Sequence, residues 1–155
     1  MAYFQLLTPR ESIIFGKKLS TSGSGIEPGI LVTLDTATSG DAVAGETVST
    51  SGSTSTVFGF AFGARSLVYM PTTKVYEIGE AVSVVQGTGV AAMSTDFFTS
   101  GSSDWATPDA VLYAAESGKL STTGSVKVAR LIRTKSRTII GGSENIALIR
   151  FNIQP

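Results

Sequence analysis

The chain has 155 residues, a formal net charge of zero and 42% hydrophobic residues, enough for one domain with a real core. It contains neither Cys nor His, which excludes disulfide scaffolds, Cys/His zinc sites, thiol chemistry and every triad that needs an imidazole base. Charged residues reach only 15%, and Ser, Thr and Gly (20, 19 and 17 residues) occupy much of the polar surface instead.

The N-terminal segment is apolar, with Tyr3, Phe4, Leu6, Leu7, Ile13, Ile14 and Phe15 around Arg10, and it closes on Lys17-Lys18. The run TSGSG at 21–25 reads as a flexible joint. Residues 1–25 therefore form an expected arm and joint ahead of a single domain at 26–155. Two readings of the arm stay open. It adds a strand to a neighbouring protein surface, or Glu11–Lys18 is the first strand of the domain itself.

Strand signals continue at Gly29–Thr36, Thr56–Gly63, Ser66–Met70, Lys74–Ile78 and Glu80–Gln86, each short, rich in Val, Ile, Phe or Tyr, and bounded by turn residues. Thr47–Thr56 is low in complexity and uncharged, and reads equally as a loop or as a Ser/Thr-rich strand pair. Gln86–Ala92 superficially gives G-x-G-x-x-A, but no helix of normal length comes after it, so a β-turn is expected there rather than a dinucleotide site. Phe97–Trp105 joins bulky aromatics to a Gly/Ser turn. In Thr107–Glu116 a strand is preferred to a helix, because Ser117-Gly118 separates two short apolar runs as a hairpin turn would.

Val111–Ala115, Ser125–Thr134 and Glu144–Ile153 complete the set. In the last, Ile146, Leu148 and Arg150 oppose Ala147, Ile149, Phe151 and Ile153, so both faces are partly apolar. Such a strand is buried on both faces or packs against a neighbouring subunit. The expected fold is all-β, a compact β-barrel or β-sandwich of about eight to ten short strands with an N-terminal extension. No stretch resembles a membrane span, and no basic leader precedes a long apolar run. Synthesis in the cytoplasm without export, and no membrane partner, are expected.

A search for chemistry finds little. No Ser stands three residues before a Lys, so the S-x-x-K arrangement is missing. The near carboxylate pairs Asp35/Asp41, Glu77/Glu80 and Asp104/Asp109 all sit beside turn residues, where carboxylates are ordinarily solvated. DTATSGD lacks the ligand density of a calcium loop. No enzyme activity, metal or cofactor is expected.

Zero net charge conceals an uneven distribution. Residues 1–18 carry +2, residues 19–121 carry −7 from three basic and ten acidic groups, and residues 122–155 carry +5. The basic ends either pair with the acidic middle, within or between subunits, or meet an acidic partner. Arg130, Arg133, Lys135 and Arg137 form the densest cluster, but no aromatic lies between them, and nucleic acid is not an expected partner. Strict strand alternation places Arg130 and Arg133 on opposite faces.

The order of several segments is distinctive. Glu27-Pro28-Gly29 leads into ILVTLDTATSGD, then come YEIGEAVSVVQGTG and LYAAESGKLSTTGSVKVARLI, with Val128-Ala129-Arg130 inside it, and finally IALIRFNI. Across residues 27–153 this arrangement resembles the small capsid decoration, or cement, proteins of tailed bacteriophages. VFGFAFGARSLVYMP and the N-terminal segment do not map onto that pattern.

The resemblance implies a structural virion protein, usually a homotrimer, bound to the major capsid protein on the outside of the shell and clamping neighbouring capsomers. Expected contact residues are Tyr3, Phe4, Leu6, Leu7, Arg10, Ile13, Ile14 and Phe15 of the arm, and Arg130, Arg133 and Arg137 of the basic hairpin. The alternative is a tail, fibre or receptor-binding module whose Trp105, Tyr69 and Tyr76 recognise glycans.

Overall fold

The computed structural model describes residues 4–7, 13–19, 25–35, 47–54, 56–62, 76–77, 80–99 and 103–153. Eleven strands run through them: β1 (Phe4–Leu6), β2 (Ile13–Leu19), β3 (Leu31–Leu34), β4 (Thr47–Thr50), β5 (Gly59–Phe62), β6 (Ala81–Val85), β7 (Gly87–Ser94), β8 (Val111–Ala114), β9 (Leu120–Ser121), β10 (Lys127–Ile139) and β11 (Gly142–Ile153). One helical turn, α1 (Ser103–Ala106), precedes β8. The fold is all-β, as expected.

The strands divide into a five-stranded closed barrel, in the order β2-β4-β3-β5-β6, and a six-stranded sheet, in the order β1-β7-β11-β10-β8-β9. Period-two alternation explains how the two halves share a core. Val32, Val48, Ala61, Val82 and Val84 fill one cluster with Ile26 and Phe58. Their neighbours Leu31, Phe60, Phe62 and Val85 belong to a second cluster with Ala91, Met93, Ala147, Ile149 and Phe151 of the sheet. β5 (GFAF) is buried throughout because one face joins each cluster. Gly59 is required there, since a Cβ would run into the Val85 carbonyl and the Val84 side chain.

Gly118 ties the halves together at their rim. Its φ of +69° suits glycine, and its N–H donates to the Ser51 carbonyl at 2.8 Å, joining the β8–β9 turn to the barrel.

The N-terminal segment is strand rather than free arm at Phe4–Leu6 and Ile13–Leu19. β1 pairs antiparallel with β7, and Phe4 is buried in the shared core. β2 closes the barrel, antiparallel to β6 and parallel to β4. Of the two readings, the first-strand one holds for Ile13–Leu19. The physical reason is the demand of strand edges for partners: without β2, the facing edges of β4 and β6 would be left open.

Two other expectations are corrected or resolved. Gly87–Ser94 is not a turn but a central strand, paired with β1 on one side and β11 on the other. The Ser/Thr-rich segment forms β4, with Ser49 donating to the Asp35 carboxylate at 2.6 Å. Ser66–Met70 lies outside the described residues, and of Lys74–Ile78 only Tyr76 and Glu77 are described, Tyr76 bridging to Ile26.

A basic face on the six-stranded sheet

The C-terminal hairpin β10–β11 is the longest element and the one richest in charge, with strands of 13 and 12 residues. On its inner side Ile153, Phe151, Ile149 and Ala147 are buried, and Leu131 joins them from β10. Beyond Ala147 the same side carries Asn145 and Ser143, opposite Ser136 and Thr138. The apolar face stops there, and so does pairing with β7, whose last partner is Ser94 opposite Ile146. The end of the hairpin therefore projects past the sheet.

On the outer side two irregularities in β10 reorder the cations. Lys127 and Ala129 pair with consecutive residues of β8, so Val128 is extra; Leu131 and Arg133 pair with consecutive residues of β11, so Ile132 is extra. Each extra residue reverses the parity of the residues after it. Lys127, Arg130, Arg133, Lys135 and Arg137 consequently share the outer face. The expectation that Arg130 and Arg133 point oppositely is corrected: alternation fails at Ile132. β11 adds Arg150, directly opposite Arg130.

Six cations thus stand on one face, against the carboxylates of Asp109 and Glu144. Arg130 Nη1 lies 3.2 Å from Asp109 Oδ1, and both side chains are largely exposed. Arg137 pairs with Glu144 across the hairpin. Spaced by two residues, Arg133, Lys135 and Arg137 stand about 7 Å apart, within one Debye length, so their potentials add.

Between the cations runs an apolar floor. Ala92, Ile146 and Leu148, with Arg133, Lys135 and Arg137 at their edge, line a shallow depression of about 310 Å³. A second depression of about 320 Å³ lies among Val111, Lys127, Arg130, Arg150 and Asn152. Ile146 and Leu148 are half-buried, so part of the apolar outer face of β11 expected from the sequence stays open among the described residues.

The structure places the remaining sequence candidates elsewhere. Leu6 is half-buried and Leu7 exposed beside β7, whereas Phe4 belongs to the core. Ile13, Ile14 and Phe15 lie on β2 in the barrel, with Ile13 opposite Val85 and Ile14 opposite Val84. Tyr3, Arg10, Asp41 and Tyr69 lie outside the described residues. The structure does not bring the N-terminal set and the basic hairpin together as one exposed site, because Phe4 faces inward. Trp105 packs against the core, its carbonyl accepting from Thr134 Oγ1 at 2.6 Å, and the Tyr76 hydroxyl donates to the Phe62 carbonyl at 2.5 Å. These aromatics form no common platform.

A third concavity, missed in the sequence, opens where barrel and sheet meet. It encloses about 690 Å³ over Ile26, Ile30 and Phe97, and its rim carries Glu27, Asp96 and Glu116 against Lys119. These residues are far apart in sequence, and only the fold assembles them. Glu116 accepts a 2.6 Å hydrogen bond from the Ser53 hydroxyl and one from its N–H, and these hold its carboxyl below the usual glutamate value. A lowered folded-state value means that this link is present at neutral pH and is lost as acidification passes that value. Ser53→Ala is expected to move the Glu116 pKa upward, read by NMR titration of its carboxyl carbon.

Among the described residues no group of three or more Asp or Glu side chains is arranged to hold a metal ion, and no helix is long and apolar enough to cross a membrane. The chain matches no family model, and no curated protein matches its sequence.

Proposed function

We propose that this protein is a non-enzymatic structural component of a phage virion that binds the outer surface of the capsid through its basic sheet face. One observation carries the reading. Arg130 and Arg150 face each other in the paired interior of the sheet, with β8 and β7 on their outer sides. Like charges directly opposite on neighbouring strands are destabilising. Cations on an exposed edge can be explained as protection against stray strand pairing, but these two are not on an edge. Asp109 offsets part of the repulsion at Arg130; an anionic partner laid across both arginines relieves the rest and covers the apolar floor at Ile146 and Leu148.

The partner that suits this face is a folded protein surface with carboxylates and some apolar area. An apolar floor edged by arginines suits such a surface: Arg forms bidentate pairs with carboxylates, and the floor excludes water around them. Nucleic acid would favour stacking aromatics among the cations. The sequence resemblance to decoration proteins supplies the identity of that surface as the major capsid protein. Repetition over a shell allows each contact to be modest while the lattice gains.

Cryo-electron microscopy of the parent particle tests the placement. The expected result is copies on the outside of the shell with β10 and β11 against capsomers, released by added salt because the contact is electrostatic. Copies confined to a tail tip would overturn it.

A further inference from the structure

The basic sheet face leaves two features unused: the projecting end of the hairpin and the acidic cleft. At the turn of the hairpin stands Ile140, fully exposed at 105% of its reference area. It comes directly after β10 and precedes Gly141 and Gly142, neither of which would meet any atom within 4 Å if it carried a Cβ. From the last pairing with β7, about four residues on each strand extend free of the sheet, a reach of about 13 Å. On the core side of that extension stand the polar residues Ser136, Thr138, Ser143 and Asn145, and among the described residues none belongs to either apolar cluster.

The cleft has the complementary character. Its floor is apolar at Ile30 and Phe97, its rim holds Glu27, Asp96 and Glu116, and its volume of about 690 Å³ exceeds what one aliphatic side chain fills. Projection and cleft also begin at the same end of the sheet. β7 ends at Ser94 opposite Ile146, and the 3-10 turn Thr95–Phe97 next to it carries Asp96 and Phe97 into the cleft.

We propose that the tip of the β10–β11 hairpin seats in the cleft of a second copy of this chain, with Ile140 on the apolar floor and Lys135 and Arg137 toward the carboxylates of the rim. Charge complementarity selects the occupant: the basic C-terminal segment and the acidic middle of the chain each find their counterpart in another copy. With tip and cleft at one end of each copy, a two-fold arrangement lets each tip enter the other copy's cleft, and this closed exchange is the arrangement proposed. The pairing uses the tip, and leaves the outer face with Arg130 and Arg150 open for another partner.

Sedimentation velocity on the full chain tests this. Wild type at about 100 µM is expected to sediment as a closed assembly of fixed size, and Ile140→Asp as a monomer that still melts cooperatively, since the side chain is fully exposed in its own fold and only the stabilisation from association is lost. Glu27→Lys with Glu116→Lys is expected to be monomeric as well. Mixed, the two variants are expected to regain a complex containing both chains, because one retains an intact cleft and the other an intact tip. A monomeric wild type, an Ile140→Asp assembly as stable as wild type, or no complex in the mixture would each overturn the proposal. Capsid binding is a separate readout: loss of self-association with capsid binding retained leaves the basic-face reading intact.

Discussion

Removing residues 1–18 is expected to abolish the cooperative unfolding transition of the protein. β2 is the antiparallel partner of β6 and the parallel partner of β4, so its loss opens the barrel on two edges at once. The interior residues Val32, Val48, Val82 and Val84, all fully buried, would then be exposed to water. At about 1.5–3 kcal/mol for each large apolar side chain, the loss approaches the whole stability of a typical domain. Thermal unfolding monitored by circular dichroism checks this. A truncated chain that still melts cooperatively near the wild-type midpoint would mean that the segment is an independent arm after all. Removal of residues 1–12 alone is the milder case, deleting β1 and the buried Phe4 while keeping the barrel closed.

Phe60→Ala is the point substitution with the largest expected effect on stability, about 3–5 kcal/mol. Phe60 is fully buried on the barrel strand β5, with its ring 5.4 Å from that of Phe4 and 5.7 Å from that of Phe151. The three rings come from the barrel and from two strands of the sheet, so truncating the central one leaves a cavity between the halves. Surrounding strands are fixed by their ladders and cannot collapse into that space, which places the cost at the upper part of the range for core truncations. The midpoint of thermal unfolding should fall by on the order of 10 °C. A shift of only one or two degrees would show that barrel and sheet do not share a core at this position.

How much of this was legible in the sequence differs from element to element. β3, β5, β6, β8, β10 and β11 are visible because short β-branched and aromatic runs are bounded by turn residues. β7 is not, because Gly87, Gly89, Ala91 and Ala92 lower its intrinsic strand preference. Its place between β1 and β11 overrides that preference, as pairing on both edges can. The identities of the basic residues are plain in the sequence, but their gathering on one face is not. Val128 and Ile132 look like ordinary members of an alternating strand, and only the pairing register reveals them as extra residues. The acidic cleft was hidden more deeply still, since Glu27, Asp96 and Glu116 come from three separate parts of the chain. The apolar outer face of β11, by contrast, was readable from the alternation of Ile146 and Leu148 with the core positions.

The charge asymmetry gains a location from the fold. The basic C-terminal segment becomes one sheet face and a projecting tip, and part of the acidic middle becomes the rim of a cleft. Among the described residues, the ion pairs on the face join Arg130 to Asp109, from the middle of the chain, and Arg137 to Glu144, from within the hairpin itself. Neither links the hairpin to the carboxylates of the cleft rim. The result is a surface suited to contact.

The most direct measurement is the melting temperature of undecorated parent capsids mixed with wild-type protein or with Arg130→Glu, Arg133→Glu, Arg150→Glu. Wild type is expected to raise the capsid midpoint, and the folded triple variant to leave it unchanged even at tenfold excess. A rise that survives reversal of all three charges would contradict the assignment of the basic face as the capsid-binding surface.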